Sequence, residues 1–533
     1  MKTYIKLLAL SALLLIQMSA CVDLDTAPYD RESDLTFWEE DKEAALKALN
    51  SCYLYLGSID ELLYSEAMTD NAYTKQPNDY TQNIGNGSYS TADNYVRNVW
   101  NNRYTGIRTC NQLLENIDRV KDLDPALKSR YIGEAKVIRA YHYYELYTKF
   151  GDVPYSTKVL SIEESRTIKR TPKAEVVANI LADLNEVVSD NSLPTTYDAN
   201  NKGRITRWAA LSLMAKIYLF EGNWAQVKNI TNMIMNDGDF TLFPSYSGLF
   251  EIANEYNSEV ILDLQYRPVS REHRIMYSFL PPSLGGYSQL SPLQSLVDNY
   301  IMLDGKTIQE SDLYDENKPY DNRDPRLKAT VIYTGNSYRM SDGSEVTINC
   351  EPGANRDGFG YSSDCTATGY YIKKYWDNSY RASLQSGLNP ILIRYADILL
   401  MNAEALAELG ELNSAAWNRT IRPIRERAGF TLSSALDFPA GASREELVQI
   451  VRNERRSELA LEGHRHIDIF RWRIAQDVLN GWSHGFKTGD VTNADNGYIR
   501  IENRSFDPNK HYLWPIPQAE RDLNPNLEQN ANW

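Results

Sequence analysis

Residues 453–473 read NERRSELALEGHRHIDIFRWR, and in this stretch ionisable side chains are interleaved with apolar ones. At helical spacing Glu454, Glu458 and Glu462 lie one above another at successive i+4 steps, with arginines such as Arg455 a turn away. Stacked carboxylates could serve as a general acid and a general base. Neighbouring guanidinium groups, however, favour the charged carboxylate and lower its pKa. We therefore interpret the stretch as a charged structural network on a helix.

The same stretch resembles the signature of the SusD/RagB family, the surface glycan-binding lipoproteins of Bacteroidetes. In that family the pattern runs R-x-x-E-x-x-x-E-G-x-R-x-x-D-x-x-R, and His466 stands here where an aromatic residue is frequent. The pattern is matched by Arg455, Glu458, Glu462, Gly463, Arg465, Asp468 and Arg471.

Five further passages are typical of the same family and occur in the expected order. Because they extend over nearly the whole chain, the chain is identified as a member from its sequence. They are EAKVIRAYHYYELYTKFGDVP at 134–154, YDNRDPRL at 320–327, TGYYIKKYWD at 368–377, ILIRYADILLMNAEALAEL at 391–409 and YLWPIPQAERDLNPNLEQN at 512–530.

Helical periodicity dominates on both sides of an irregular region at 239–390. Three long helices, rich in small residues, are predicted to turn into another helix at Gly151, Gly222 and Gly410. This is the pattern of tetratricopeptide-like helical pairs, in which small residues let neighbouring helices approach. We predict a mainly α fold, in which a tetratricopeptide-like helical-pair scaffold carries a loop-rich region with small β pieces.

The N-terminus has the features of a bacterial lipoprotein signal. Lys2 and Lys6 precede an apolar run at 7–16 that is too short to span a bilayer. Small residues then lead to Cys21, as in a lipobox, and the acidic residues that follow resemble the signal that sends Bacteroidetes lipoproteins to the cell surface. We predict lipidation of Cys21 and anchoring in the outer membrane; the alternative is an ordinary signal peptide with an incidental cysteine.

One folded unit is predicted to follow this processed N-terminus. Its predicted parts are a lipoprotein signal peptide (1–20), a lipidated tether (21–36), an N-terminal helical part (37–238), an irregular loop-rich insertion (239–390) and a C-terminal helical part ending in an extended strap (391–533).

Composition narrows the classes of partner. The formal charge of −15 over 533 residues argues against nucleic acid and against adsorption to anionic membranes. The 36 tyrosines and 10 tryptophans favour recognition by aromatic stacking, although both residues also pack in cores. If Cys21 is acylated, four cysteines remain, either as two disulfides or as buried thiols. These are Cys52, Cys110, Cys350 and Cys365.

The sequence contains no established catalytic motif. It has no G-x-S-x-G elbow, no Walker loop and no H-E-x-x-H pair. His464 and His466 have no further ligand at zinc spacing, and a turn at 493–497 resembles a calcium loop without its final glutamate. We predict a protein that is not an enzyme and that needs neither a metal nor another cofactor.

Ligand contacts are expected on loops, where aromatic faces stack on sugar C–H surfaces and polar side chains hold hydroxyls. One candidate region is a long loop predicted at 70–93, with Asp70 and Tyr80; the other is the central irregular region, with Tyr287 and Trp376. For each aromatic residue the alternative is ordinary packing in the core.

The resemblance implies capture of a glycan at the outer-membrane surface. It also implies delivery of that glycan to a SusC-like TonB-dependent barrel, for which this protein would serve as a lid. The alternatives are a peptide-uptake or adaptor subunit of such a transporter and, from a different class, a surface glycosidase. The sequence does not identify the sugar.

Overall fold

The computed structural model describes residues 34–76, 81–339, 343–376, 384–489 and 492–533. The predicted signal peptide, the lipidation residue Cys21 and the candidate ligand residue Tyr80 lie outside these ranges. Within them helices dominate and the strands form small separate sheets, which confirms the predicted fold class. Among the residues described, no helix combines the length and the apolarity that crossing a bilayer requires.

The N-terminal helices begin and end at residues suited to capping. The Asp93 side chain accepts hydrogen bonds from two backbone N–H groups at the start of one long helix. Asp124 does the same for the next helix, which has Pro125 at its first position and ends at Gly151 with φ 73°. The helices of this part are α1 (Asp34–Glu40), α2 (Ala44–Leu54), α3 (Ile59–Tyr64), α4 (Thr81–Asn86), α5 (Asn94–Asn116), α6 (Pro125–Phe150), α7 (Ile162–Ser165), α8 (Lys173–Ser189), α9 (Arg207–Phe220) and α10 (Trp224–Asp237).

The remaining helices are divided between the central region and the C-terminal part. They are α11 (Ile275–Phe279), α12 (Gln294–Asn299), α13 (Arg326–Thr330), α14 (Tyr395–Glu408), α15 (Ser414–Arg419), α16 (Ile421–Ala428), α17 (Ser433–Leu436), α18 (Arg444–Glu458), α19 (Arg465–Arg471), α20 (Ala475–Val478) and α21 (Gln518–Leu523).

The long helices pack as one consecutive series. Helix α5 packs on α6, α6 on α8, α8 on α9, α9 on α10, α10 on α14 and α14 on α18. Small residues allow some of these contacts to be close: a Cβ atom on Gly106 of α5 would lie 2.2 Å from Nε2 of His142 in α6. Each helix therefore buries its apolar stripe against its neighbours, as in the helical-pair scaffold predicted from the sequence.

The strands of the described ranges are short and form five sheets. They are β1 (Ala72–Thr74), β2 (Val260–Asp263), β3 (Leu290–Pro292), β4 (Val331–Ile332), β5 (Ser337–Arg339), β6 (Glu345–Thr347), β7 (Tyr371–Ile372), β8 (Ile391–Arg394), β9 (Gly481–Lys487), β10 (Ala494–Asp495) and β11 (Tyr498–Arg504). The antiparallel pairs are β1–β3, β2–β8, β4–β7 and β5–β6, and the fifth sheet has the order β10–β11–β9. Two of the pairs join the central region to other parts of the chain, because β1 precedes it and β8 follows it.

Two large apolar cores lie beneath this architecture. One fills the space between the N-terminal helices, and the other lies under the central strands and loops. The second core also contains Ile59 of α3 and Leu461 of the signature stretch, so the central region is packed onto the helical frame. The four described cysteines are buried free thiols, which supports the second of the two alternatives left by the sequence.

Candidate functional site

The signature stretch is helical only in part, and the prediction that Glu462 continues the helical stack of Glu454 and Glu458 is wrong. Helix α18 ends at Glu458, and α19 begins only at Arg465. Between them the backbone turns through left-handed conformations at Leu461 (φ 64°) and Gly463 (φ 78°). Glycine adopts such angles readily, whereas leucine does so only when its surroundings hold it there. The turn moves Glu462 off the helix, so that its carboxylate pairs with Lys374 and with Arg394.

Arg394, the last residue of β8, is the centre of a buried charged network. Its guanidinium group donates to Glu259 at 2.7 Å, to Glu458 at 2.6 Å and to Glu462 at 2.7 Å. All four side chains are at most 1% exposed. Arg394 therefore joins the central region, helix α18 and the turn after it through charge-assisted hydrogen bonds.

Guanidinium groups hold Glu458 of this network in the charged form. Burial alone would raise the pKa of Glu458, but Arg427 and Arg394 outweigh it and keep that pKa well below its ordinary range. Burial also raises the pKa of Asp468, but arginines outweigh it and lower that pKa, and Arg455 contributes most to the lowering. Carboxylates held charged in this way are poor proton donors at neutral pH. The charged network is therefore structural, as predicted. The expectation that the arginines of the stretch neutralise its own glutamates is wrong, because Arg455 pairs with Asp397 and Asp468, and Arg465 pairs with Asp70.

Acid is expected to unfold the protein by protonating such carboxylates. Since their folded pKa values lie below the ordinary value of about 4.3, their stabilisation is complete above that value and is lost as the pH falls towards the folded pKa. Burial raises the pKa of Glu145, but Lys149 and Arg103 lower it more, to about 2. Each unit of depression is worth about 1.4 kcal/mol. Thermal unfolding followed from about pH 7 to about pH 3 should show a midpoint that falls steeply below about pH 4.5.

Salt provides the control for this acid prediction. Because the groups are buried, raising NaCl to about 0.5 M should leave the dependence on pH nearly unchanged, whereas exposed ion pairs would be screened. A midpoint that stays constant down to about pH 3 would contradict the prediction.

Asp70, predicted from the sequence as a ligand residue, is buried in the same kind of network. Its two carboxylate oxygens accept from Arg465 at 2.8 and 2.9 Å, and Arg456 lies 2.9 Å away. Burial opposes the charge on Asp70, yet Arg456 and Arg465 keep its pKa below the ordinary range. The geometry therefore makes Asp70 an anchor between β1 and the signature stretch and gives no support to a ligand contact.

Tyr287, the second predicted ligand residue, lies at the surface on the loop before β3. Its side chain is 47% exposed, and its ring stacks on that of Tyr277 with centroids 5.9 Å apart and planes 26° from parallel. The backbone N–H of Tyr287 donates to the carbonyl oxygen of Tyr277 at 2.7 Å, and Gly285 makes the preceding turn with φ 91°. The two rings thus form an aromatic pair whose orientation is fixed by the backbone.

The pairing of β1 with β3 brings the two predicted ligand regions together. Tyr73 of β1 lies opposite Ser291 of β3, and the N–H of Lys75 donates to the carbonyl oxygen of Gln289 at 3.0 Å. The prediction that residues 70–93 form a long loop is wrong in part, since β1 and α4 lie within them. Residues 77–80, with Tyr80, follow β1 but are outside the described ranges.

Lys75 also connects this surface to a third loop. Its ammonium group donates to the carbonyl oxygens of Ser363, at 2.5 Å, and of Cys365. That loop carries Tyr361, whose side chain is 58% exposed. We name the combined surface the tyrosine face; it consists of Tyr277, Tyr287, Tyr361, Lys75 and Gln289.

Buried hydroxyl groups support the tyrosine face from below. Ser288 and Ser291 are buried with their side-chain oxygens 3.1 Å apart, and Thr366 lies 3.4 Å from Ser291. These contacts join the Tyr287 loop to the loop that follows Cys365. The aromatic surface is therefore held by hydrogen bonds rather than by a hydrophobic core alone.

Trp376, the remaining predicted ligand residue, belongs to another group of side chains. Its half-buried ring packs edge-on against Tyr338 of β5, with centroids 4.8 Å apart and planes at 70°.

Sequence reasoning missed Tyr277 and Tyr361, which join the tyrosine face through tertiary contacts. The nine residues between Tyr277 and Tyr287 follow neither a helical nor a strand period, so no local signal indicated that the two tyrosine rings stack.

The residues considered as metal ligands are engaged in other contacts. Asp495 accepts a hydrogen bond from Arg500, with which it forms an ion pair. Its Oδ2 also lies 2.9 Å from Nε2 of His484. Nδ1 of the half-buried His464 lies 3.4 Å from the Lys216 ammonium group, and desolvation together with that cation lowers the pKa of His464 to about 3. Within the described ranges, no group of three or more His, Cys, Asp or Glu side chains is placed to hold a metal ion.

Two sequence models of protein families match the chain. The one described as the SusD family matches residues 250–533. The other, described as "Starch-binding associating with outer membrane", matches residues 46–219. The first match includes the central region and the signature stretch, and the second covers most of the N-terminal helices.

Individual relatives extend over nearly the same length. A SusD-like protein of Formosa agariphila is 26% identical over 475 residues, which are 84% of this chain and 81% of that protein. The crystal structure of a SusD-like carbohydrate-binding protein of Bacteroides fragilis matches with a TM-score of 0.83 and 28% identity over 92% of this chain and 100% of that one. A laminarin-binding SusD-like protein shares the fold, with a TM-score of 0.70 and 23% identity over 93% of this chain and 100% of that one.

Proposed function

This chain belongs to the SusD family, and we propose that it binds an oligo- or polysaccharide with its tyrosine face. The observation that carries the proposal is the stacked pair of Tyr277 and Tyr287, of which Tyr287 is half exposed. An aromatic ring held at a fixed angle can stack on the C–H surface of a sugar with little further loss of conformational freedom. Gln289, beside the pair, supplies an amide that can both donate to and accept from hydroxyls.

The relatives support a carbohydrate as the ligand class. The family is one of SusD-like carbohydrate-binding proteins, and the Bacteroides fragilis relative is named as such. The charge of −15 disfavours a polyanionic glycan, so a neutral or weakly charged sugar suits this chain better. Laminarin, the ligand in the name of one relative with the same fold, is a first candidate to test rather than an assignment.

The protein acts in this proposal as a non-catalytic subunit at the outer membrane. Cys21 would carry the lipid anchor, and the bound glycan would pass to a SusC-like TonB-dependent transporter beneath. The family description of association with the outer membrane supports this location. The charged state of the signature carboxylates supports capture without hydrolysis, because a glycosidase needs one carboxyl group that is protonated at the working pH.

The test uses the soluble protein from residue 22 onward and a panel of plant, host and microbial glycans that includes laminarin, amylopectin and xylan. Calorimetry measures binding, and reducing-sugar release is followed in the same samples. We expect binding without release. Release of reducing ends would make the protein a glycosidase. If no glycan of the panel binds, while the protein still co-purifies with a TonB-dependent barrel or binds peptides, the peptide-uptake or adaptor alternative would be favoured.

A further inference from the structure

The three-stranded ribbon of β9, β10 and β11 carries an exposed tryptophan apart from the tyrosine face. The side chain of Trp482 is 41% exposed, and no other tryptophan among the described residues is more than about a third exposed. Trp482 lies opposite Asn503 of β11, so the strand pairing fixes the backbone from which the indole projects. A single exposed apolar ring is ordinary on a protein surface. The polar groups fixed around this one are what distinguish it.

Arg500 lies beside the indole and is linked to two further side chains; we name Arg500, Asp495 and His484 the polar triad. The guanidinium carbon of Arg500 lies 5.3 Å from the centre of the Trp482 ring. Asp495 binds that guanidinium group through both of its oxygens, with Nε at 2.8 Å, and its Oδ2 lies 2.9 Å from Nε2 of His484. The three side chains are 31% to 35% exposed. Their donors and acceptors are therefore oriented by one another and still reach solvent.

We propose that the Trp482 ring and the polar triad form a second carbohydrate-contact site, the Trp482 site. The indole face takes the C–H surface of one sugar ring, and the paired guanidinium and carboxylate groups offer donors and acceptors to its hydroxyls. Aspartate is depleted from the core of a protein–protein interface. Here Asp495 holds the guanidinium group that lies beside the Trp482 ring, which favours a sugar over a protein as the occupant. This inference rests on the proposed function.

A continuous set of contacts joins the Trp482 site to the tyrosine face. Glu502 of β11 accepts from the amide of Gln82 at 2.9 Å, and the same amide lies 3.4 Å from the hydroxyl of Tyr73 in β1. Strand β1 in turn pairs with β3, which directly follows the loop that carries Tyr287. Both sites are thus fixed on one framework. A polysaccharide bound at one of them gains a high effective concentration at the other, whereas a short oligosaccharide does not.

The length dependence of binding tests this inference. Affinities would be measured for laminarin, amylopectin and xylan, each as the intact polysaccharide and as its hexasaccharide. For each glycan that binds, Trp482→Ala should lower the affinity for the polysaccharide about tenfold or more and leave that for the hexasaccharide within about twofold. Tyr287→Ala should lower both affinities, because it removes the first site.

Tyr256→Ala is the matched control. Tyr256 is 40% exposed and, like Trp482, lies beside a cation, with the Lys202 ammonium group 5.6 Å from its ring centre. Its removal should leave every affinity unchanged. Equal polysaccharide affinities for the wild type and Trp482→Ala would overturn the Trp482 site and leave the proposed function standing. If the wild type binds none of the six probes, the Trp482 site is overturned as well, while the full glycan panel decides the proposed function separately.

Discussion

Replacing Arg394 by alanine is expected to destabilise the protein by about 3–5 kcal/mol, which is the cost of removing one partner of a buried ion pair. The substitution leaves Glu259, Glu458 and Glu462 buried without their shared guanidinium group. Arg427 still contacts Glu259 and Glu458, and Lys374 still contacts Glu462, but they do not replace the link between β8 and the signature turn. Urea unfolding followed by circular dichroism measures the loss, and a chain that fails to fold is the extreme of the same result.

Two further variants make the Arg394 prediction specific. Arg394→Lys keeps the charge but loses the planar fork that contacts several carboxylates at once, so its loss should be intermediate. Arg422 pairs with Glu426 and Asp437 at the surface, where its side chain is 34% exposed, and Arg422→Ala should cost less than about 1 kcal/mol. Similar losses of unfolding free energy for Arg394→Ala and Arg422→Ala would contradict the view that burial makes the ion pairs of the signature stretch important for stability.

The signature stretch shows how far its sequence predicts the network. The mixture of glutamates and arginines indicated a charge-neutralised network, and the structure contains one. The predicted mutual neutralisation is wrong, however, because cations from elsewhere in the chain, such as Arg394, neutralise the glutamates. The identity of the partners was not predictable, because Arg394 and Glu259 meet this stretch only through the pairing of β8 with β2. The turn after Glu458 was also missed, since tertiary contacts hold Leu461 in a backbone conformation that its own side chain disfavours.

The candidate site was predictable in part for a similar reason. Aromatic residues on Gly-rich loops carry a sequence signal, which predicted the surface position of Tyr287; its role in binding stays a prediction. Asp70 was predicted from its place at the start of a polar stretch, yet Arg456 and Arg465, nearly four hundred residues later, bury its carboxylate. The loop of Tyr361 joins the site through the Lys75 ammonium group. Contacts of this range depend on packing that no local pattern specifies.

Tyr287→Ala is expected to abolish most of the glycan binding at the tyrosine face. The change removes the half-exposed ring and leaves Tyr277 without its stacking partner. Aromatic contacts contribute about 0.5–1.5 kcal/mol beyond the area that they bury, so the total loss should be at least about 1.4 kcal/mol, or tenfold in Kd. Because the ring is largely at the surface, the free energy of unfolding should change by less than about 0.5 kcal/mol. Calorimetry with a glycan identified in the panel, together with urea unfolding, measures both quantities.

A double-mutant cycle with Tyr277→Ala distinguishes a built aromatic pair from two independent contacts. If the pair acts as one platform, the loss in the double variant should be smaller than the sum of the two single losses, because the first substitution already disrupts the stack. Tyr287→Phe keeps the ring and should retain the affinity within about threefold, since stacking on a sugar uses the ring face more than the hydroxyl. Wild-type affinity in Tyr287→Ala would place the glycan elsewhere on the molecule. A loss in Tyr287→Phe equal to that in Tyr287→Ala would instead make the hydroxyl, and not the ring face, the group that holds the sugar.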